Sequence, residues 1–158
     1  MQSIFWLIPD RLAGRAGPTV ARWSLRDLRV AGFDVVLNLS EYAPDDSDFQ
    51  AAGLRCHWVP LPTTVPPDEE AERECVEALP RAHAILQAEL EAGNRALVHC
   101  VAGRDRTGML LTYHLARSRQ IEPAAALEQL REVRPNAIAA EGWESMTLRV
   151  LARLLATA

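Results

Sequence analysis

ALVHCVAGRDRTG, residues 96–108, decides how the rest of the chain is read. ALVHC is a short apolar run of the kind that forms a buried strand. From about Arg106, Met109, Leu110, Tyr113, His114 and Ala116 fall on or near one face of a helix reaching Arg119. A strand ending at Cys100, a loop, and a helix starting near Arg106 aim backbone N–H groups and a positive helix end at one point. Gly103 lets the main chain curl, and Gly108 lets the helix approach a neighbour closely. The stretch is therefore predicted to hold a tetrahedral oxyanion, phosphate above all.

The side chains fit that role. Cys100 stands at the floor of the cradle, where the positive field is expected to lower a thiol from about 8.5 to about 4–7. A thiolate beside a bound phosphoryl group is a nucleophile in line for attack. Arg106, six residues on, reaches back to grip two phosphate oxygens, a geometry lysine does not reproduce. The Thr107 hydroxyl is expected to hydrogen-bond the sulfur and help it leave in a second step. His99 is expected to brace the loop through its ring nitrogens. The amides of Val101, Ala102, Gly103, Arg104, Asp105 and Arg106 complete the predicted substrate-binding set.

Outward from this centre, strands and helices alternate. SLRDLRVAG before Phe33 reads as a short helix with Ser24 as its N-cap and Gly32 as its stop. FDVVLNL (33–39) reads as a buried strand and LRCHWVPL (54–61) as another, ended by Pro62. From Asp68 an apolar stripe at 75, 76, 79, 82, 86 and 90 predicts a helix closed by EAGN (91–94). Pro80 interrupts it, so a kink or two abutting helices are expected. PAAALEQLREVR (123–134) and WESMTLRVLARLL (143–155) are the last helices. The pattern predicts an α/β fold in which a small, mostly parallel central sheet is flanked by helices, as one domain over residues 1–158.

Composition narrows the function. A chain of 158 residues is long enough to bury its own core, and its 49% hydrophobic content argues against disorder. The net charge of −4 disfavours a nucleic-acid binder, so any anion site must be locally positive. Cys56, Cys75 and Cys100 are an odd set without CxxC spacing, which argues against a disulfide framework and a zinc site and suits a cytoplasmic protein. The opening MQSIFWLIPDRLAG has no basic leader, and IFWLI is too short for a membrane span.

His99-Cys100 followed by five residues and Arg106-Thr107 resembles the signature of the cysteine-dependent protein tyrosine and dual-specificity phosphatases. WLIPDRLAG (6–14), VLNLSE (36–41) and REVRPNAI (131–138) are also similar to stretches of small atypical VH1-like members. The resemblance spans most of the chain, with high specificity only in the signature. It implies the dual-specificity phosphatase fold and hydrolysis of phosphomonoesters through a phosphocysteine, without metal or other cofactor. It also implies that phosphate, sulfate or vanadate binds in the loop.

Two carboxylates compete for the role of general acid, which must protonate the departing oxygen. Family members take it from an aspartate roughly thirty residues before the cysteine, and Asp68 lies 32 residues upstream. Related small phosphatases place it in a Pro-Asp pair, yet here LPT puts Thr63 at that spot. Asp68 then reads equally well as a helix N-cap. Asp105 is the second candidate, since the loop resembles the GKDRTG loops of some bacterial and lipid phosphatases. The glutamine that usually positions water has no clear counterpart; Glu141 and Glu144 are the nearby polar residues.

Other features have plainer readings. Cys56 beside His57 looks like a dyad, but strand neighbours point to opposite faces. Arg104 is either a solvated loop charge or a cation that favours multiply phosphorylated substrates. Arg11 and Arg15 either line the entrance or sit on the surface. The expected substrate is a phosphotyrosine protein, with phosphoserine or phosphothreonine as further substrates. A phosphoinositide or small-molecule phosphatase, and a phosphate-binding module without turnover, are the alternatives.

Overall fold

The computed structural model describes residues 3–157. Five strands form one sheet in the order β1-β2-β5-β3-β4, and the strand leading into the signature is the middle one. These are β1 (Phe5–Ile8), β2 (Leu12–Arg15), β3 (Val35–Asn38), β4 (Arg55–Trp58) and β5 (Ala96–His99). β2, β5, β3 and β4 run parallel, while β1 is antiparallel to β2. The expected small, mostly parallel sheet is present.

Alternation along each strand divides the core in two. Leu12, Val35, Leu37, Ala96 and Val98 face the larger cluster, under the helices α3 (Glu69–Glu91), α4 (Arg106–Arg119), α5 (Pro123–Val133) and α6 (Trp143–Ala156). Ala13, Val36 and Leu97 face the smaller one, closed by α1 (Leu25–Val30) and α2 (Asp46–Ala51). Both faces of β5 are therefore dry, and its C-terminal end, where Cys100 follows, is fixed on both sides.

The local expectations meet specific outcomes. Ser24 caps α1 by accepting from the Asp27 amide. Pro80 does not divide α3; one helix passes through it, because Ala71, Cys75, Ala78, Leu79, Ala82, Leu86 and Leu90 on either side are buried on one face. The β1–β2 hairpin went unforeseen, although Pro9-Asp10 forms its turn, with Arg11 N donating to Ile8 O at 3.0 Å and Asp10 at φ +61°. Helix α2, only six residues long, also went unforeseen. Among the described residues no helix is long and apolar enough to cross a membrane.

Candidate active site

The loop 101–105 turns its carbonyl groups outward, and each of the first four meets a donor. Val101 O accepts from Gly17 N at 2.8 Å, and Arg104 O accepts from Gly108 N at 3.1 Å and Ile138 N at 3.0 Å. The Arg134 guanidinium donates to Ala102 O at 2.9 Å and Gly103 O at 3.1 Å. A trans peptide sets its N–H opposite its C=O, so the amides of Ala102 to Asp105 face the concave side. Among the described residues they donate to no backbone group. A concave row of free amides of this kind is a geometry that can hold an oxyanion.

Within the loop and the helix that follows it, glycine is required at two places. Gly103 has φ +69°, and a Cβ there would stand 2.5 Å from the backbone of Arg15. At Gly108 a Cβ would meet Ile138 at 2.8 Å, so α4 packs closely against the loop that follows α5.

Cys100 is buried at the floor, and Thr107 Oγ1 donates to its sulfur at 3.1 Å. His99 is buried beside it, with Nδ1 donating to Cys100 O at 2.9 Å. Burial foremost, together with the Arg15 and Arg106 charges, pushes the imidazole down to about 4, against the effect of the Cys100 carbonyl. His99 is thus a neutral ring at physiological pH, braced edge-on by Trp23 at 4.8 Å.

Arg106 opens α4, and its Nη1 donates to Glu41 Oε1 at 3.0 Å. Glu41 stands on a turn fixed by Asn38, whose Oδ1 accepts from both the amide and the hydroxyl of Ser40. Asn38 Nδ2 also donates to Tyr42 O. Desolvation pushes the Glu41 carboxyl up, but its own backbone hydrogen bond and Arg106 outweigh this and leave it below its ordinary value.

The two acid candidates stand in different places. Asp68 is exposed and caps α3, its Oδ1 accepting from Ala71 N at 2.8 Å. Asp105 lies on the cradle itself; its Oδ1 accepts from Ala140 N at 3.1 Å and anchors the loop before α6. Arg104 is exposed. Cys56 packs into the smaller core whereas His57 pairs with Glu89 at 2.8 Å, so they form no dyad. Arg15 is neither at an entrance nor on the surface, being 1% exposed.

Beside Cys100 opens a cleft of about 200 Å³ with Trp23, Tyr42 and Phe49 among its walls and Asp45 and Asp48 also lining it. Sequence reasoning missed Glu41 and Arg134 as parts of the site. Both lie within VLNLSE and REVRPNAI, but nothing in an isolated segment says which distant group it will touch.

The family model for the dual specificity phosphatase catalytic domain matches residues 19–148. Among solved structures, the chain is similar to Tk-PTP in its active form at 22% identity, with 96% of this chain and 98% of that one covered and a TM-score of 0.78. Human DUSP28 gives 23%, with 98% of this chain and 97% of that one covered, and 0.75. PTPMT1 in complex with PI(5)P gives 14%, 99% of each and 0.75. With most of its length matched by the family model, and the same fold in those structures, the chain belongs to the dual specificity phosphatase family.

Proposed function

We propose that the protein is a phosphomonoesterase that works through a phosphocysteine on Cys100 and acts on phosphotyrosine proteins. The Cys100 thiolate attacks phosphorus as the bond to the alcohol oxygen breaks. Asp105 supplies the proton to that oxygen. Water then attacks phosphorus, the sulfur–phosphorus bond breaks, and phosphate leaves. Arg106 and the inward amides stabilise the equatorial oxygens where charge gathers. The Thr107 hydroxyl stabilises the departing thiolate in the second step.

The observation that carries this reading is the convergence on one sulfur of the Thr107 hydroxyl at 3.1 Å and a loop whose amides face inward. Asp105 is preferred to Asp68 because it lies on the cradle, while the Asp68 carboxylate serves as an exposed cap. The cleft supports an aryl ester. Its aromatic walls suit a ring, and the Asp45 and Asp48 carboxylates oppose the extra phosphates of a phosphoinositide. Three free cysteines support a reducing, cytoplasmic setting.

Hydrolysis of p-nitrophenyl phosphate tests the reaction. It is expected to survive EDTA, to stop with vanadate and to vanish in Cys100→Ser. A substrate panel then sets phosphotyrosine peptides against phosphoserine peptides and phosphoinositides. Faster turnover of a phosphoinositide overturns the substrate assignment, and binding without turnover overturns the enzyme reading.

A further inference from the structure

Arg15 is the residue the catalytic scheme leaves unexplained. It ends β2 directly beside His99 of β5 and is 1% exposed. Among the described residues no carboxylate forms an ion pair with it. Its Nη2 donates to Ala21 O at 2.8 Å and more weakly to Arg22 O at 3.4 Å, whereas Nε and Nη1 are buried with no partner among the described residues. The guanidinium lies over the Trp23 ring, 5.2 Å from its centroid, and the same ring meets His99 edge-on.

A buried, half-satisfied cation without a counter-ion is destabilising, and well-packed apolar replacements of buried charges are often neutral or stabilising. Its position points to what it does instead. The Arg15 backbone is the surface on which Gly103 of the cradle rests. The turn its side chain holds reaches the same cradle, where Gly17 N donates to Val101 O. The charge, stacked on the Trp23 ring that also meets His99, therefore lies beside the residue that precedes Cys100, in a medium where a field is screened far less than in water.

We propose that Arg15 is a positioning residue, a buried second cation whose field, added to that of Arg106, holds negative charge on the Cys100 sulfur and on the bound phosphoryl group. Trp23 keeps it in place through a cation–π contact instead of an ion pair, so its charge is not cancelled. This inference rests on the phosphatase reading of the same site.

Alkylation of Cys100 in the full chain tests it without needing turnover. Burial pushes the Cys56 and Cys75 thiols up to about 12, so at neutral pH they react little, and peptide mass spectrometry confirms the modified site. Anionic iodoacetate and neutral iodoacetamide are compared as a ratio of rates, which cancels differences in access. In Arg15→Met the ratio is expected to fall about tenfold, because one nearby positive charge has gone, while the melting temperature holds or rises. Arg15→Lys keeps the charge but breaks the planar hydrogen-bonding geometry, and its ratio is expected to stay within about twofold of wild type.

An unchanged ratio in Arg15→Met, or a collapsed ratio in Arg15→Lys, overturns the proposal. If Arg15→Met does not fold, Arg15→Gln, which removes the charge but keeps hydrogen-bond donors, decides: a ratio lowered about tenfold supports the proposal and an unchanged one refutes it. Hydrolysis by the wild-type protein reports separately on the phosphatase reading, so the two failures are distinguishable.

Discussion

Arg106 Nη1 donates to Glu41 Oε1 at 3.0 Å, which ties the cation of the signature to the turn after β3. One edge of the guanidinium is committed to that carboxylate, so in the proposed mechanism Nε and Nη2 would form the fork toward phosphate oxygens. Glu41→Ala is expected to raise KM for p-nitrophenyl phosphate about five- to tenfold, the loss of one charge-assisted hydrogen bond that fixes the fork. Glu41→Gln retains an acceptor and should fall between. Steady-state kinetics on the two variants check this; an unchanged KM in Glu41→Ala would show that the turn does not orient Arg106.

In the proposed mechanism Thr107 acts later than Arg106: its hydroxyl, which donates to the Cys100 sulfur, would stabilise that sulfur as it departs when the phosphoenzyme hydrolyses. Thr107→Val is expected to lower kcat about tenfold or more while leaving the first step largely intact, so a burst of nitrophenol precedes slow turnover. Thr107→Ser should restore turnover. Stopped-flow measurement separates the steps, and a variant slowed equally in both would contradict the assignment.

The two aspartates are expected to separate cleanly. Asp105→Asn should slow esters of poorly acidic alcohols far more than p-nitrophenyl phosphate, whose leaving group needs little protonation. Asp68→Asn should leave kcat for both nearly unchanged, because asparagine still caps α3. Reversal of these patterns transfers the acid role to Asp68.

Acid stability divides into two windows. Burial lowers His114 and pushes His83 and His99 down to about 4, so the latter two stay neutral in the fold while the unfolded chain binds protons. Their contribution is full above about 6.5 and is lost as pH falls toward 4, on the order of 3 kcal/mol for a group shifted that far. Glu89, hydrogen-bonded by Arg55, His57 and Asn94, is held at about 2. Its stabilisation is present above about 4.5 and disappears as pH falls through 2. Thermal melts should therefore decline from pH 6.5 to 4 less steeply in His83→Asn, and Glu89→Gln should flatten only the region below 4.5. Identical slopes in wild type and His83→Asn would refute the buried neutral histidine.

The centre of the molecule was legible because its signals are local. ALVHC carries the apolar run of a buried strand, Gly103 marks a curl that has φ +69°, and Thr107 follows Arg106 on the first turn of α4, close enough to reach the sulfur. The contacts that complete the site come from far along the chain. Glu41 reaches Arg106 across 65 residues, and Arg134 reaches the loop carbonyls across 31 and 32. A charged residue such as Arg15 reads as solvated from its composition alone; only the parallel register with β5 takes it into the interior. Helix α2, as short as the α1 that the sequence did show, escaped notice because Phe49 is its one large apolar residue, so it carries no amphipathic stripe.

The phosphocysteine itself is the most direct thing to measure. Acid-quenching the enzyme during turnover of a phosphomonoester, followed by peptide mass spectrometry, should place a single phosphoryl group on Cys100, with more of it in Thr107→Val and none in Cys100→Ser. Undiminished hydrolysis by Cys100→Ser, or a phosphoryl group found on another residue, would contradict the account.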